Sequence, residues 1–136
     1  MKRKPTVKAL KKKTWDTFSK YIRLLDCLKT TGSPYFGFCV TCGKPFDILH
    51  LQAGHFIPGR HNAGLFSERG VHAQCRRCNY LGGETLEYRR QIIKMYGHGA
   101  DEELEQEARQ SKKFTIEELQ GLLEKYRGKI KELEGL

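Results

Sequence analysis

No apolar run in this sequence approaches the ~18 residues of a membrane-spanning helix, and no secretory signal is visible. Hydrophobic residues make up only 38% of the 136, which is low for a large self-sufficient core. There is no internal repeat. Acidic residues are scarce over the first hundred positions, where 18 Lys and Arg face 6 Asp and Glu; residues 101–136 reverse the balance, with 7 against 10. Together these shortages exclude a bundle of membrane helices. They point to one small intracellular domain that needs a second source of stability and whose basic part suits a polyanion, most commonly nucleic acid.

Cysteine is also sparse, but four of the five are paired: Cys39 with Cys42, and Cys75 with Cys78. A Cys-x2-Cys turn supplies two thiolates, and two such turns make the tetrahedral all-sulfur site a structural Zn2+ prefers. A reducing compartment fits thiols kept for metal rather than for disulfides. A fully coordinated ion has no open position, so any catalysis lies elsewhere. Cys27 stands apart and reads as a buried helix residue. The 32 residues between the pairs exceed a plain zinc-ribbon gap, so something is displayed between the knuckles.

That segment holds Gly54-His55-Phe56-Ile57-Pro58, and Asn79 directly follows the last cysteine. A neutral imidazole takes a proton from water near neutral pH, which makes His55 the candidate base. The side-chain oxygen of Asn79 can hold a hard divalent cation, Mg2+ or Mn2+, that stabilises charge at a scissile phosphate. Arg60, Arg76 and Arg77 are candidates for bidentate phosphate contact, and Arg89 and Arg90 for contact along a DNA backbone. His72 is a weaker candidate for metal or substrate, with His50, His61 and His98 weaker still.

The expected fold class is α+β. Residues 1–34 form a mobile basic arm, Lys2 to Lys13, running into an amphipathic helix from about Thr14 to Thr30 that ends at Gly32-Ser33-Pro34. Residues 35–99 form a zinc-stapled core of short strands and loops, closed by a helix from Glu84 to Tyr96 that buries Leu86, Ile92, Ile93 and Tyr96. Residues 100–136 add an acidic helix and a last one opened by a Thr115–Glu118 capping box, with a stripe of Leu119, Leu122, Tyr126, Ile130 and Leu133. The stripe suits packing on the domain, or a dimer contact.

Taken together, Cys39-x2-Cys42, Gly54-His55-Phe56-Ile57-Pro58 and Cys75-x2-Cys78-Asn79 resemble the zinc-containing branch of the HNH, or ββα-metal, endonucleases. Over residues 8–96 the sequence more closely resembles the phage Rap/NinG recombination endonuclease family. That likeness rests on Leu51 to Phe56, on Val71-His72-x2-Cys75-x2-Cys78-Asn79, on Glu87-Tyr88-Arg89-Arg90, and on the helix segments Tyr21 to Leu24 and Asp26 to Gly32. The resemblance implies a ββα-metal core with His55 as general base and Asn79 at a divalent ion. It also implies cleavage of branched DNA such as Holliday junctions, and phage or prophage origin in a bacterial cytoplasm. Two cuts per junction suit a homodimer. Two departures stand out: many relatives carry an acidic ligand before the base, where this chain has Gly54, and the middle Asn of the HNH name falls near Gly70. A catalytically silent zinc module that binds DNA is therefore the main alternative, and an adaptor recruiting a recombination or replication protein through the acidic C-terminal part is a third.

Overall fold

A computed structural model describes residues 4–59 and 61–135. Thr6 caps the first helix, α1 (Val7–Thr31), by accepting from the Ala9 amide, and Gly32 closes it in the left-handed conformation at φ 78°. The helix starts earlier than the apolar spacing predicts. Lys and Ala are strong helix formers, and the buried Leu10 anchors this first turn. Of the expected basic arm, Lys8, Lys11, Lys12 and Lys13 are therefore ordered on a helix; Lys2 and Arg3 lie outside the described residues.

Two antiparallel hairpins follow. The first pairs β1 (Phe36–Phe38) with β2 (Pro45–Asp47) around the first knuckle. The second pairs β3 (Leu51–His55) with β4 (Val71–Cys75), matching Leu51 to Cys75 and His55 to Val71. β4 runs straight into α2 (Arg76–Tyr80), then α3 (Thr85–Tyr96), α4 (Ala100–Ala108) and α5 (Ile116–Glu134). The architecture is α+β, as expected.

Alternation along β3 and β4 decides what packs where. Ala53 and Val71 face α1, in a core with Phe18, Tyr21, Ile22, Tyr126 and Ile130. Phe18 is fully buried and meets Tyr126 edge-on at 4.8 Å. Burial of that size contributes about 2–3 kcal/mol per side chain, so Phe18→Ala is the single change most damaging to this layer. Asp26 ties α1 to the edge of β4, accepting from the Ala73 amide at 2.7 Å.

The Thr115–Glu118 capping box is present, and α5 buries Leu119, Leu123, Tyr126 and Ile130. This face lies against α1, where the Thr14 hydroxyl shares its one proton between Leu10 O at 2.8 Å and Leu119 O at 3.3 Å. The stripe is thus internal packing and is not free to make a dimer. In α3 the buried residues are Tyr88 and Ile92, while Leu86 is 76% exposed. Tyr88 displaces the expected Leu86 because its ring fills the core beside Phe56 while its hydroxyl donates to Gly54 O at 2.6 Å.

Candidate functional site: a four-cysteine centre beside a basic cleft

The first knuckle leaves β1 and the second joins β4 to α2. Their Sγ atoms, from Cys39, Cys42, Cys75 and Cys78, all lie within 4.8 Å of one another. Cys39 Sγ accepts from the amides of Cys75 (3.3 Å) and Cys42 (3.5 Å) and is 3.4 Å from the Thr41 hydroxyl. Burial opposes its ionisation, yet these donors outweigh burial and bring the thiol down to about 6. Burial, with the neighbouring sulfurs, drives Cys78 up to about 12 and raises Cys42 as well. Without a cation the thiolate favoured at Cys39 comes at the expense of Cys42 and Cys78. A bound dication removes that conflict, so the four thiols fit a structural metal such as zinc. Cys27 is buried in α1 against Gly37, where a Cβ would come within 2.9 Å of Cys27 Sγ.

His55 ends β3. Trp15 of α1 stacks on its ring, centroids 5.0 Å apart and planes 13° off parallel. Its Nε2 lies 3.0 Å from Leu65 O. A carbonyl only accepts, so the neutral ring carries its proton on Nε2 and leaves the Nδ1 lone pair as the basic atom. Burial lowers the His55 pKa from 6.5, partly opposed by the Leu65 bond, so the ring is neutral at physiological pH. Gly59 closes on the Nε2 edge, where a Cβ would sit 3.0 Å from Cδ2 and Nε2. Gly70 has no side chain, and it is the Leu65 carbonyl that orients the His55 ring.

Asn79, on α2, donates to Gln52 Oε1 of β3 at 2.8 Å. His55 and Asn79 line one cleft of about 1220 Å³. Its far wall is the α1 face carrying Lys8, Lys11, Lys12, Trp15, Ser19 and Arg23, and no carboxylate is among its described lining residues. Gly54 contributes no ligand, for a steric reason. A Cβ there would meet Gln74 Oε1 at 2.0 Å, and Gln74 is fully buried, donating to Thr41 Oγ1 (3.1 Å) and Gly83 O (2.9 Å).

The remaining sequence candidates scatter. Arg76 and Arg77 are exposed on α2 and line a second cavity of about 700 Å³ with Cys42, Lys44 and His50. Arg89 is engaged inside the fold. It bonds Asp101 at 2.6 Å, pairs with Glu105 and lies over the Phe56 ring, which fastens α3 to α4 and corrects its expected place on DNA. Arg90 is exposed and pairs with Glu87 at 2.9 Å. Arg60 lies outside the described residues. His72 is buried and saturated, with Asp26 at Nδ1 and both Arg69 O and Tyr96 Oη at Nε2, so it is a structural histidine with no site for metal or substrate. His61 joins the cleft lining, whereas His98 sits in the turn between α3 and α4. Sequence reasoning missed Trp15, Gln52 and Arg23. Their helical or alternating spacing marks faces, but only the tertiary pairing of α1 with β3 brings them to His55.

A model of the bacteriophage lambda NinG protein family matches residues 1–135. Protein ninG of Escherichia phage 933W is 32% identical over 97 residues, covering 70% of this chain and 47% of the relative. Protein ninG of Escherichia phage lambda gives the same identity and coverage, so the matched stretch spans about half the length of these curated relatives. No solved structure matches. No helix among the described residues is long and apolar enough to cross a membrane. On the near-complete span of the family match and these relatives, the chain belongs to the bacteriophage lambda NinG protein family.

Proposed function

We propose that this chain is a metal-dependent DNA endonuclease of the HNH type. It cuts branched recombination intermediates of the Holliday-junction kind and acts, as a phage or prophage product, in the bacterial cytoplasm. One observation carries the reading: a neutral, oriented histidine and a knuckle-anchored asparagine share a cleft walled by cations. The order β3, β4, α2, with His55 closing the first strand and Asn79 on the short helix, agrees with a ββα-metal core.

In this mechanism, Nδ1 of His55 takes the proton from an attacking water while Nε2–H stays on Leu65 O. Trp15 and Gly59 hold the imidazole plane and shield one edge from solvent. Asn79, held through Gln52, is the residue that would hold Mg2+ or Mn2+. When bound, such an ion supplies positive charge to the leaving oxygen. Cys39, Cys42, Cys75 and Cys78 would hold a structural Zn2+, which when bound would fix the start of α2 and hence the position of Asn79. Two cuts per junction make a homodimer part of the reading, formed through a surface other than the buried stripe of α5.

That no carboxylate lines the cleft among the described residues favours a second reading, a zinc module that binds DNA without cutting it. Amide oxygens alone bind hard cations weakly. A labelled four-way junction and a matched linear duplex, each in Mg2+ or Mn2+, separate the two. Wild type and His55→Ala are compared after both are shown to retain zinc. Junction cutting lost only in the variant supports the nuclease; tight binding without cutting by either protein establishes the silent module.

A further inference from the structure

Arg23 points at something absent from the fold. It lies part-buried at one end of the α1 wall of the cleft, and its Nε donates to Ser19 O at 3.2 Å. Among the described residues no carboxylate pairs with it, although most other partly covered arginines and lysines here do find one, as Arg89 finds Asp101. Burial lowers its pKa, which is what a guanidinium taken out of water without a counter-charge shows. Such a cation is a standing demand for an anion.

The rest of the wall has the same character. Lys8, Lys12, Trp15, Ser19 and Arg23 follow one another at three- and four-residue steps along one helix face. Among the described residues Lys12 pairs with Asp16 of its own helix, at 3.1 Å, with both side chains mostly exposed. Such a pair is readily exchanged for a phosphate. From Lys8 to Arg23 the helix rises about 22 Å, the length of about six nucleotides of one B-form strand.

We infer that this α1 face is the track for a single nucleic-acid strand, and that Arg23 is its subsite for a backbone phosphate, held bidentately at one end of the cleft that His55 and Asn79 line. This rests on the proposed DNA substrate and adds to it where the strand runs. α1 does not belong to the β3–β4–α2 unit, so here the helix that supports the core also forms half of the binding surface. Trp15, stacked on His55, lies midway along the track and marks where the strand passes the chemistry.

The test uses binding, which is separate from cutting. Zinc-loaded protein is titrated into a fluorescent oligonucleotide and a fluorescent four-way junction at several salt concentrations, without Mg2+ or Mn2+. Arg23→Gln, Lys8→Gln and a distant control on α5, Lys131→Gln, are compared with wild type and with Arg76→Gln/Arg77→Gln. The expected result is about a tenfold loss of affinity in Arg23→Gln and a salt slope shallower by about 0.7–0.9. Lys8→Gln should show a smaller loss in the same direction, and Lys131→Gln none. Lys8 is exposed, so its variant answers the question even if Arg23→Gln folds poorly. Unchanged affinity and slope in both α1 variants, with loss in the Arg76/Arg77 variant, would overturn the inference and put the strand beside the knuckles. Absence of any DNA binding by wild type would overturn it together with the proposed function. Weakened binding by the α1 variants from a protein that never cuts would uphold the track and remove only the nuclease.

Discussion

Gly54 is where sequence and structure give the same residue opposite meanings, and Gly54→Ala tests the structural one. The added methyl would lie 2.0 Å from Gln74 Oε1 and 3.0 Å from Gln74 Cβ. Gln74 is fully buried, so its amide cannot swing out to solvent. Relief means breaking its bonds to Thr41 Oγ1 and Gly83 O, each contributing about 1 kcal/mol. Residual overpacking adds about 1–2 kcal/mol, for a total of about 3–4 kcal/mol. For a domain of this size that lowers Tm by roughly 10–15 °C. Gln74 Oε1 has no hydrogen-bond partner among the described residues, so this side chain is retained for its two donated bonds and its bulk. In a Gln74→Ala background the amide is gone and only the 3.0 Å approach to the remaining Cβ is left, so the same substitution should cost about 1–2 kcal/mol, a coupling of about 2 kcal/mol. Denaturant unfolding of the four zinc-loaded proteins measures the cycle. Additive costs, or a Gly54→Ala protein as stable as wild type, would refute the claim that Gln74 is what excludes a side chain from this position.

Three further outcomes follow from the same geometry. Cys78→Ser, or chelation of wild type, should abolish zinc binding and lower the helical circular dichroism signal, since α2 is too short to persist without its sulfur anchor; metal content and spectra read this directly. His55 has a folded pKa below its unfolded 6.5, so the unfolded chain binds more protons in acid. Its contribution to stability is then fully present above pH 6.5 and declines as pH falls below that value; NMR titration of its ring against pH-dependent unfolding checks the sign, and Trp15→Leu should move the titration back toward 6.5 by exposing the ring. Arg89→Gln should lower Tm by loosening α4 from α3 while leaving DNA affinity unchanged, and binding as weak as that of Arg23→Gln would contradict its internal role.

Local chemistry was legible where it acts over a few residues. The Thr115–Glu118 box, the Gly32 stop and the two knuckles each write their geometry into neighbouring positions, and each is found as expected. The beginning of α1 lies earlier than the apolar spacing places it, because seven basic residues without an acidic one read as a mobile arm. Leu10 and Thr14, packing against Leu119 more than a hundred positions away, override that signal. Tyr88 took the inward place expected of Leu86 because a phenol can satisfy Gly54 O, a partner that periodicity does not see. His55 was singled out from its surroundings in sequence, but Leu65 O and the Trp15 ring that orient it come from other segments.

The pairing of α1 with α5 also sets an order of events. α1 emerges before α5 with the apolar side of Leu10, Phe18 and Tyr21 bare, and α5, which helps cover it, is translated only after all the intervening strands and helices. At ribosomal speeds that interval is on the order of ten seconds. During it the nascent chain presents a helix that is cationic on one side and greasy on the other, a profile that attracts chaperones and nucleic acid alike. Docking of α5 ends that vulnerability.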